Sequence, residues 1–233
     1  MYKGNIYLDI HLSTVKKEKV QVGMTKIEVY GILAEPNSTS KEGTSELLYY
    51  NDVNLALKLN EQGKVESLGE IPKEKGIISL NIPDALNVAY ESYVKAKEID
   101  TKQDLKTDLA AKMKIVGGEF FNTGISYFQQ NDYDKAIAHF GKTVAISNEN
   151  HVIDTLANYG LALCLEKKAA TDKSFLDKAI EKYQYLVDLK MKEVSVYTSL
   201  ANLYKDKGDL DKGSEVIAKG KVEFPGNTDL VIT

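Results

Sequence analysis

Three histidines, one cysteine and a glycine pair are where any chemistry in this chain would have to start. His11 alternates with apolar residues, His139 precedes Phe140 on a helical stretch, and His151 lies in a polar turn. None has a Cys, His or carboxylate partner at zinc-ligand spacing, so each reads as a surface histidine. Cys164 lies in an apolar stretch with no histidine nearby in sequence to activate it, which suits a small core or groove residue better than a nucleophile. Gly117-Gly118 lacks both the spacing and the following Lys-Ser/Thr of a phosphate-cradling loop. Glu119, Asp132 and Asp134 belong to turns and solvated helix faces, and Lys167-Lys168 and the lysines at 190 and 192 read as solvated charge. No residue is nominated as catalytic, no metal ligand is found and no cofactor is implied. A hydrolase-type enzyme with a site assembled from distant residues remains as one alternative.

The composition narrows the classes further. The chain has 233 residues, 43% hydrophobic and 27% charged, which is ordinary for folded domains. The net charge of -4 argues against a general nucleic-acid-binding surface, which should be basic. No run of about 18 apolar residues exists to span a membrane. The first residues lead into an alternating segment, not the apolar core of an export signal. Either the protein is cytoplasmic, or an export signal has been removed. With one cysteine no internal disulfide can form, which fits a reducing compartment or a cysteine-poor periplasmic protein.

Two hydrophobic periods divide the chain. Residues 1–80 read mostly as period two, a small α+β domain. Ile6, Leu8, Ile10 and Leu12 alternate with Tyr7, Asp9 and His11, which predicts a strand over 5–12. Strands are also expected over 46–50, 53–59 and 76–80, with Leu55, Leu57 and Leu59 on one face. Asn60-Glu61-Gln62-Gly63 should turn the chain back into 64–68. One short helix interrupts them. Thr25 and Glu28 have capping-box spacing, Ile27 and Tyr30 would supply its buried side, and Pro36 with the polar run 37–40 would stop it. Pro72 and the charged run 73–75 place the domain boundary near 80, and 81–233 is helical in period.

The helical part repeats itself. Gly124, Tyr127, Tyr133, Ala136 and Phe140 find counterparts at Ala201, Tyr204, Leu210, Gly213 and Ile217. Gly160, Leu163, Ala179 and Tyr183 form a middle copy with about seven extra residues around 167–173. Small Gly124 and Ala136 would let two helices of a hairpin approach, with Tyr133 and Phe140 filling the space beside them. In Gly124-x-x-Tyr127, Asp132-Tyr133-x-x-Ala136 and Phe140, the segment 120–146 resembles the tetratricopeptide repeat (TPR) family. The resemblance implies an all-α TPR superhelical array: a partial repeat at 83–100, a connecting helix at 103–116, and repeats at 117–150, 153–191 and 194–227. Gly117-Gly118 would mark a bend between helices, and residues 229–233 are too short to cap much.

In that family the first helices line a concave surface. The corresponding positions here are Phe121, Ile125, Phe128 and Gln129, then Ala157, Leu161, Cys164 and Leu165, then Thr198, Asn202, Lys205 and Asp206. The first two sets are apolar, and an exposed apolar stripe normally means a partner. A partner-binding groove is therefore expected at Phe121, Asn122, Ile125, Phe128, Asn158, Leu161, Leu165, Asn202 and Lys205. Asn122 and Asn158 would hydrogen-bond an extended peptide. The basic cluster that clamps a C-terminal carboxylate in some TPR proteins is missing.

Residues 20–68 resemble the SmpA/OmlA family of small outer-membrane lipoproteins, a fold shared with beta-lactamase-inhibitor-like domains. The likeness lies in Val22-Gly23-Met24-Thr25-Lys26-x-Glu28-Val29, Ile32-Leu33-x-x-Pro36, Leu47-Leu48-Tyr49-Tyr50 and Gly63-Lys64-Val65. Ala34 replaces the usual glycine, and no lipobox cysteine is present. The two resemblances together imply a non-catalytic scaffold or adaptor that binds a protein or peptide, with bacterial envelope assembly as the setting the second one suggests. The competing expectation is a structural subunit whose apolar stripe is covered by its own chain.

Overall fold

A computed structural model describes residues 1–50, 54–71 and 84–232. Contacts divide the chain into two units, 1–109 and 110–233, so the division falls well past residue 80. The helix spanning 85–99 belongs to the first unit.

The first unit opens with a helix, α1 (Tyr2–Lys17), where alternation predicts a strand. Tertiary packing overrides the local pattern. Gly4 and Leu8, one helical turn apart, are both buried. A methyl added at Gly4 would come within 2.6 Å of the Tyr93 ring, and the Tyr93 hydroxyl donates to Asn5 Oδ1 at 2.8 Å. Tyr93 belongs to α3 (Ala85–Ile99), which packs along α1. Lys16 and Lys17 in the last turn suit the negative end of the helix dipole.

Between these helices in the chain come a short helix and a small sheet. The helix α2 (Lys26–Leu33) starts on the Thr25–Glu28 capping box: Thr25 Oγ1 accepts from the Glu28 N–H, and the Glu28 carboxylate accepts from the Thr25 N–H at 2.7 Å. Its buried contact is Val29. Ile27, expected inside, is 83% exposed, because it lies about 200° round the helix from Val29. Four strands follow: β1 (Ser38–Glu42), β2 (Ser45–Tyr50), β3 (Leu55–Leu59) and β4 (Val65–Gly69). They form an antiparallel meander in the order β1-β2-β3-β4. Leu55, Leu57 and Leu59 lie on its buried face with Leu48 and Tyr50, packed with Val29 of α2. The polar run 37–40, read as a helix stop, leads straight into β1, a largely exposed edge strand. The strand expected over 76–80 lies outside the described residues.

The second unit is an array of helical hairpins. Its first helix, α4 (Lys106–Gln129), is continuous over 24 residues. Gly117-Gly118 therefore marks no bend. Gly117 packs beside Ile146, where an added methyl would make an ordinary contact at 3.4 Å, and Thr143 Oγ1 donates to the Gly117 carbonyl at 3.1 Å. The array continues as α5 (Tyr133–Glu149), α6 (Thr155–Ala169), α7 (Leu176–Asp188), α8 (Val194–Lys207) and α9 (Leu210–Glu223). The extra residues of the middle copy extend α6 to Ala169 and add a 3₁₀ turn, Lys173–Phe175. Asp132, Asp154 and Asp209 cap α5, α6 and α9, each accepting a backbone N–H three residues on.

One ring joins the first two hairpins. A methyl at Gly124 of α4 would lie 2.8 Å from Phe140, and one at Gly160 of α6 would lie 2.8 Å from the opposite edge of the same ring. At the far end Leu230 is buried and Ile232 packs against the last hairpin, so the short tail does cap it. Leu230 Cδ2 lies 2.7 Å from where a Gly220 methyl would stand, and Ile232 Cδ1 lies 3.2 Å from that of Gly213. The glycine at 213 lets the Ala201 carbonyl of α8 approach to 3.1 Å of where its methyl would stand, as well as leaving room for the tail.

Alanine ordinarily gains about 1 kcal/mol over glycine inside a helix. Gly160→Ala should nonetheless lower stability, because Phe140 is held on both edges and overpacking costs typically about 1–3 kcal/mol. Urea unfolding of Gly160→Ala, alone and with Phe140→Leu, checks this: the smaller side chain should recover part of the loss.

Candidate functional site

The sequence places the groove stripe on α4 and α6; in the structure Phe121, Ile125 and Phe128 of α4 line one hollow, and α6 turns a different face toward it. Phe121 and Phe128 are half-buried and Ile125 is exposed. Phe121 tilts against Phe140 and Phe128 against Tyr133, with ring centroids 5.6 and 5.7 Å apart. Across from them, α6 presents Leu156, Tyr159, Gly160 and Leu163. Their spacing of three or four residues defines one helix face. Together these side chains line a hollow of about 180 Å³.

A larger hollow, about 670 Å³, shares Phe121 and Leu156 with the first. It is walled by small residues of α4, including Ala110, Ala111 and Gly118, by Ile146 of α5, and by Val152 in the turn before α6. Lys114 and Asp154 are its charged members. Asp154 already caps α6, its carboxylate accepting from the Ala157 N–H at 2.9 Å. The two hollows make one apolar groove between α4 and α6. Leu156 is 58% and Val152 57% exposed, so large apolar side chains stand open along it.

Leu161 and Leu165 were expected in this groove and are not in it. Leu161 packs with Ala136, Phe140 and Cys164, and Leu165 joins the core formed with α7 and α8. Asn158 is only 3% exposed, and its Nδ2 donates back to the Asp154 carbonyl at 2.8 Å. It lines a separate cleft bordered by α5 and α7, away from the aromatic stripe. Asn122 is exposed on α4, Asn202 half-buried and Lys205 exposed on α8, and none of the three lines either hollow. Sequence reasoning missed Leu156, Tyr159 and Val152. The signal was present in the apolar run 152–165, but α6 is apolar on nearly every side and is packed between its neighbours. Periodicity therefore could not tell which side faces outward.

The chemistry-bearing side chains serve structure. His139 meets Phe120 edge to face and Tyr127 at a tilt, with centroids 5.6 and 5.0 Å away, and its Nδ1 is 2.8 Å from the Lys135 carbonyl. The Glu166 carboxylate accepts from the buried Tyr183 hydroxyl and, at 3.3 Å, from Ser199 Oγ, tying α6, α7 and α8 together. Burial and the neighbouring Glu166 charge raise the Tyr183 pKa. No group of three metal-ligating side chains occurs among the described residues, and no described helix is long and apolar enough to cross a membrane.

No protein-family model and no curated protein matches the chain. Among solved structures, the crystal structure of MamA is similar over 63% of this chain and 96% of that one, with 19% identity and a TM-score of 0.39. An overlap this loose leaves the fold to rest on the contacts described above.

Cys164 is fully buried, and desolvation pushes its thiol pKa up to about 12 from an ordinary 9.0. At pH 8 the reactive thiolate should be far scarcer in the folded chain than in the unfolded one. A chromogenic disulfide reagent should accordingly react slowly with the native protein and promptly in denaturant. Prompt native labelling would mean that α6 is less enclosed than its packing implies.

Proposed function

We propose that this chain is a non-catalytic protein-binding scaffold that holds an apolar segment of a partner protein in the groove between α4 and α6. One observation carries the reading: two connected hollows share Phe121 and Leu156 and leave Leu156, Val152 and Ile125 exposed along one line. Contiguous exposed apolar surface of this kind marks interaction sites. The groove lacks a ring of basic residues and a sheet edge, so apolar burial supplies the affinity and shape supplies the choice of partner. The likeness of residues 20–68 to envelope lipoproteins makes the cell envelope the first compartment to search for that partner.

Full burial of one large apolar side chain contributes roughly 1.5–3 kcal/mol. Phe121→Asp with Phe128→Asp should therefore weaken binding about a hundredfold or more. Both rings also pack inside the hairpin, so Leu156→Asp serves as the gentler variant, its side chain being mostly exposed already. Affinity capture from separated cytosolic and envelope fractions, with each variant checked by circular dichroism, reads the outcome. A partner lost by folded Leu156→Asp supports the groove. A partner retained by every folded variant moves the interface elsewhere, and a self-covered groove would leave Leu156→Asp without effect on any partner.

A further inference from the structure

We infer, building on the groove proposed above, that its occupant is an amphipathic α-helix of a partner protein, with carboxylates flanking the helix's apolar stripe. The two long walls of the groove are themselves helices, so most of their main-chain groups are already paired. Its polar side chains are largely engaged as well. Thr143 Oγ1 donates to the Gly117 carbonyl, Asn150 Nδ2 donates to the Ile146 carbonyl at 2.8 Å, and the Tyr159 hydroxyl lies 2.8 Å from Ser195 Oγ. An extended peptide carries an N–H and a C=O at nearly every residue, and burying them unanswered is costly. It would find few partners along these walls. A helix arrives with its backbone bonds already made and needs only apolar surface to lie on.

The dimensions suit a helix too. From Ala110 to Phe128 the groove side of α4 runs about 27 Å at 1.5 Å per residue. That is about five turns, so apolar side chains at three- and four-residue spacing on one helix reach both hollows. Gly118 is exposed within α4, and a methyl there would meet nothing in this chain. Glycine weakens a helix interior relative to alanine, so α4 gains nothing from it alone. A helix laid alongside can come closer because of it. Charge then sets the flank. Asp154 is engaged in capping α6, whereas Lys114 is exposed and has no ion-pair partner among the described residues. The uncommitted charge on the groove is therefore positive, and a carboxylate beside the occupant's apolar stripe complements it.

Three fluorescein-labelled peptides of about 18 residues test this by anisotropy against the full chain. One sets leucines at helical spacing with glutamates beside them, the second replaces those glutamates by lysines, and the third rearranges the first into strict apolar-polar alternation. The glutamate helix should bind saturably, the alternating peptide about tenfold more weakly, and the lysine helix about fivefold more weakly. Lys114→Glu changes an exposed side chain and should invert the order of the glutamate and lysine helices. Leu156→Asp, folded by circular dichroism, should abolish binding of all three. An alternating peptide that binds as well as the glutamate helix, and is lost in Leu156→Asp, would keep the groove but overturn its helical occupant. No saturable binding of the glutamate helix, or an order of the two helices unmoved by Lys114→Glu, would also overturn the assignment. Binding that survives folded Leu156→Asp would take the groove itself down with it.

Discussion

Everything in the second unit depends on where one aromatic ring can lie. Phe140 projects from α5 into a slot whose two edges are glycines of different helices, Gly124 on α4 and Gly160 on α6. Neither helix could come as near with even a methyl in place. The ring therefore sets the spacing within the first hairpin and between it and the next, since Leu161 and Cys164 pack about it from the same α6. Ion pairs across the hairpins, such as Lys207–Asp177 at 2.6 Å, are exposed and add little by comparison. Packing geometry, more than charge, holds the stack.

The position of α6 follows from that slot. Once Gly160 faces Phe140, the remaining sides of the helix are assigned by its pitch. Leu156 and Leu163 turn toward α4 and complete the apolar groove. Asn158, two residues and about 200° away from Leu156, turns toward α5 and α7. One buried helix thus serves two unlike surfaces, one apolar and one rich in acceptors.

Much of this was legible in the sequence, and the failures have physical causes. The capping box at Thr25–Glu28, the hairpin turn at 60–63 and the small-residue frame of Gly124, Ala136 and Phe140 are local signals, and each appears where expected. The strand expected at 5–12 became α1 because Tyr93, more than 80 residues on, lies over Gly4, and no local pattern records that contact. Gly117-Gly118 was read as a break because glycine weakens helices. In the structure the helix runs on unbroken, and Gly117 sits beside Ile146 with its carbonyl accepting from Thr143, contacts that no local pattern records. On the site, α4 was legible because its apolar residues keep to one stripe. The groove face of α6 was not, because burial on several sides erases the contrast between inside and outside.

The tail after α9 has a bearing on how the array ends. Leu230 and Ile232 pack onto the last hairpin, beside Gly220 and Gly213. A few residues outside any helix thus do for the last pair of helices what a neighbouring hairpin does for the others, covering apolar side chains and small-residue gaps.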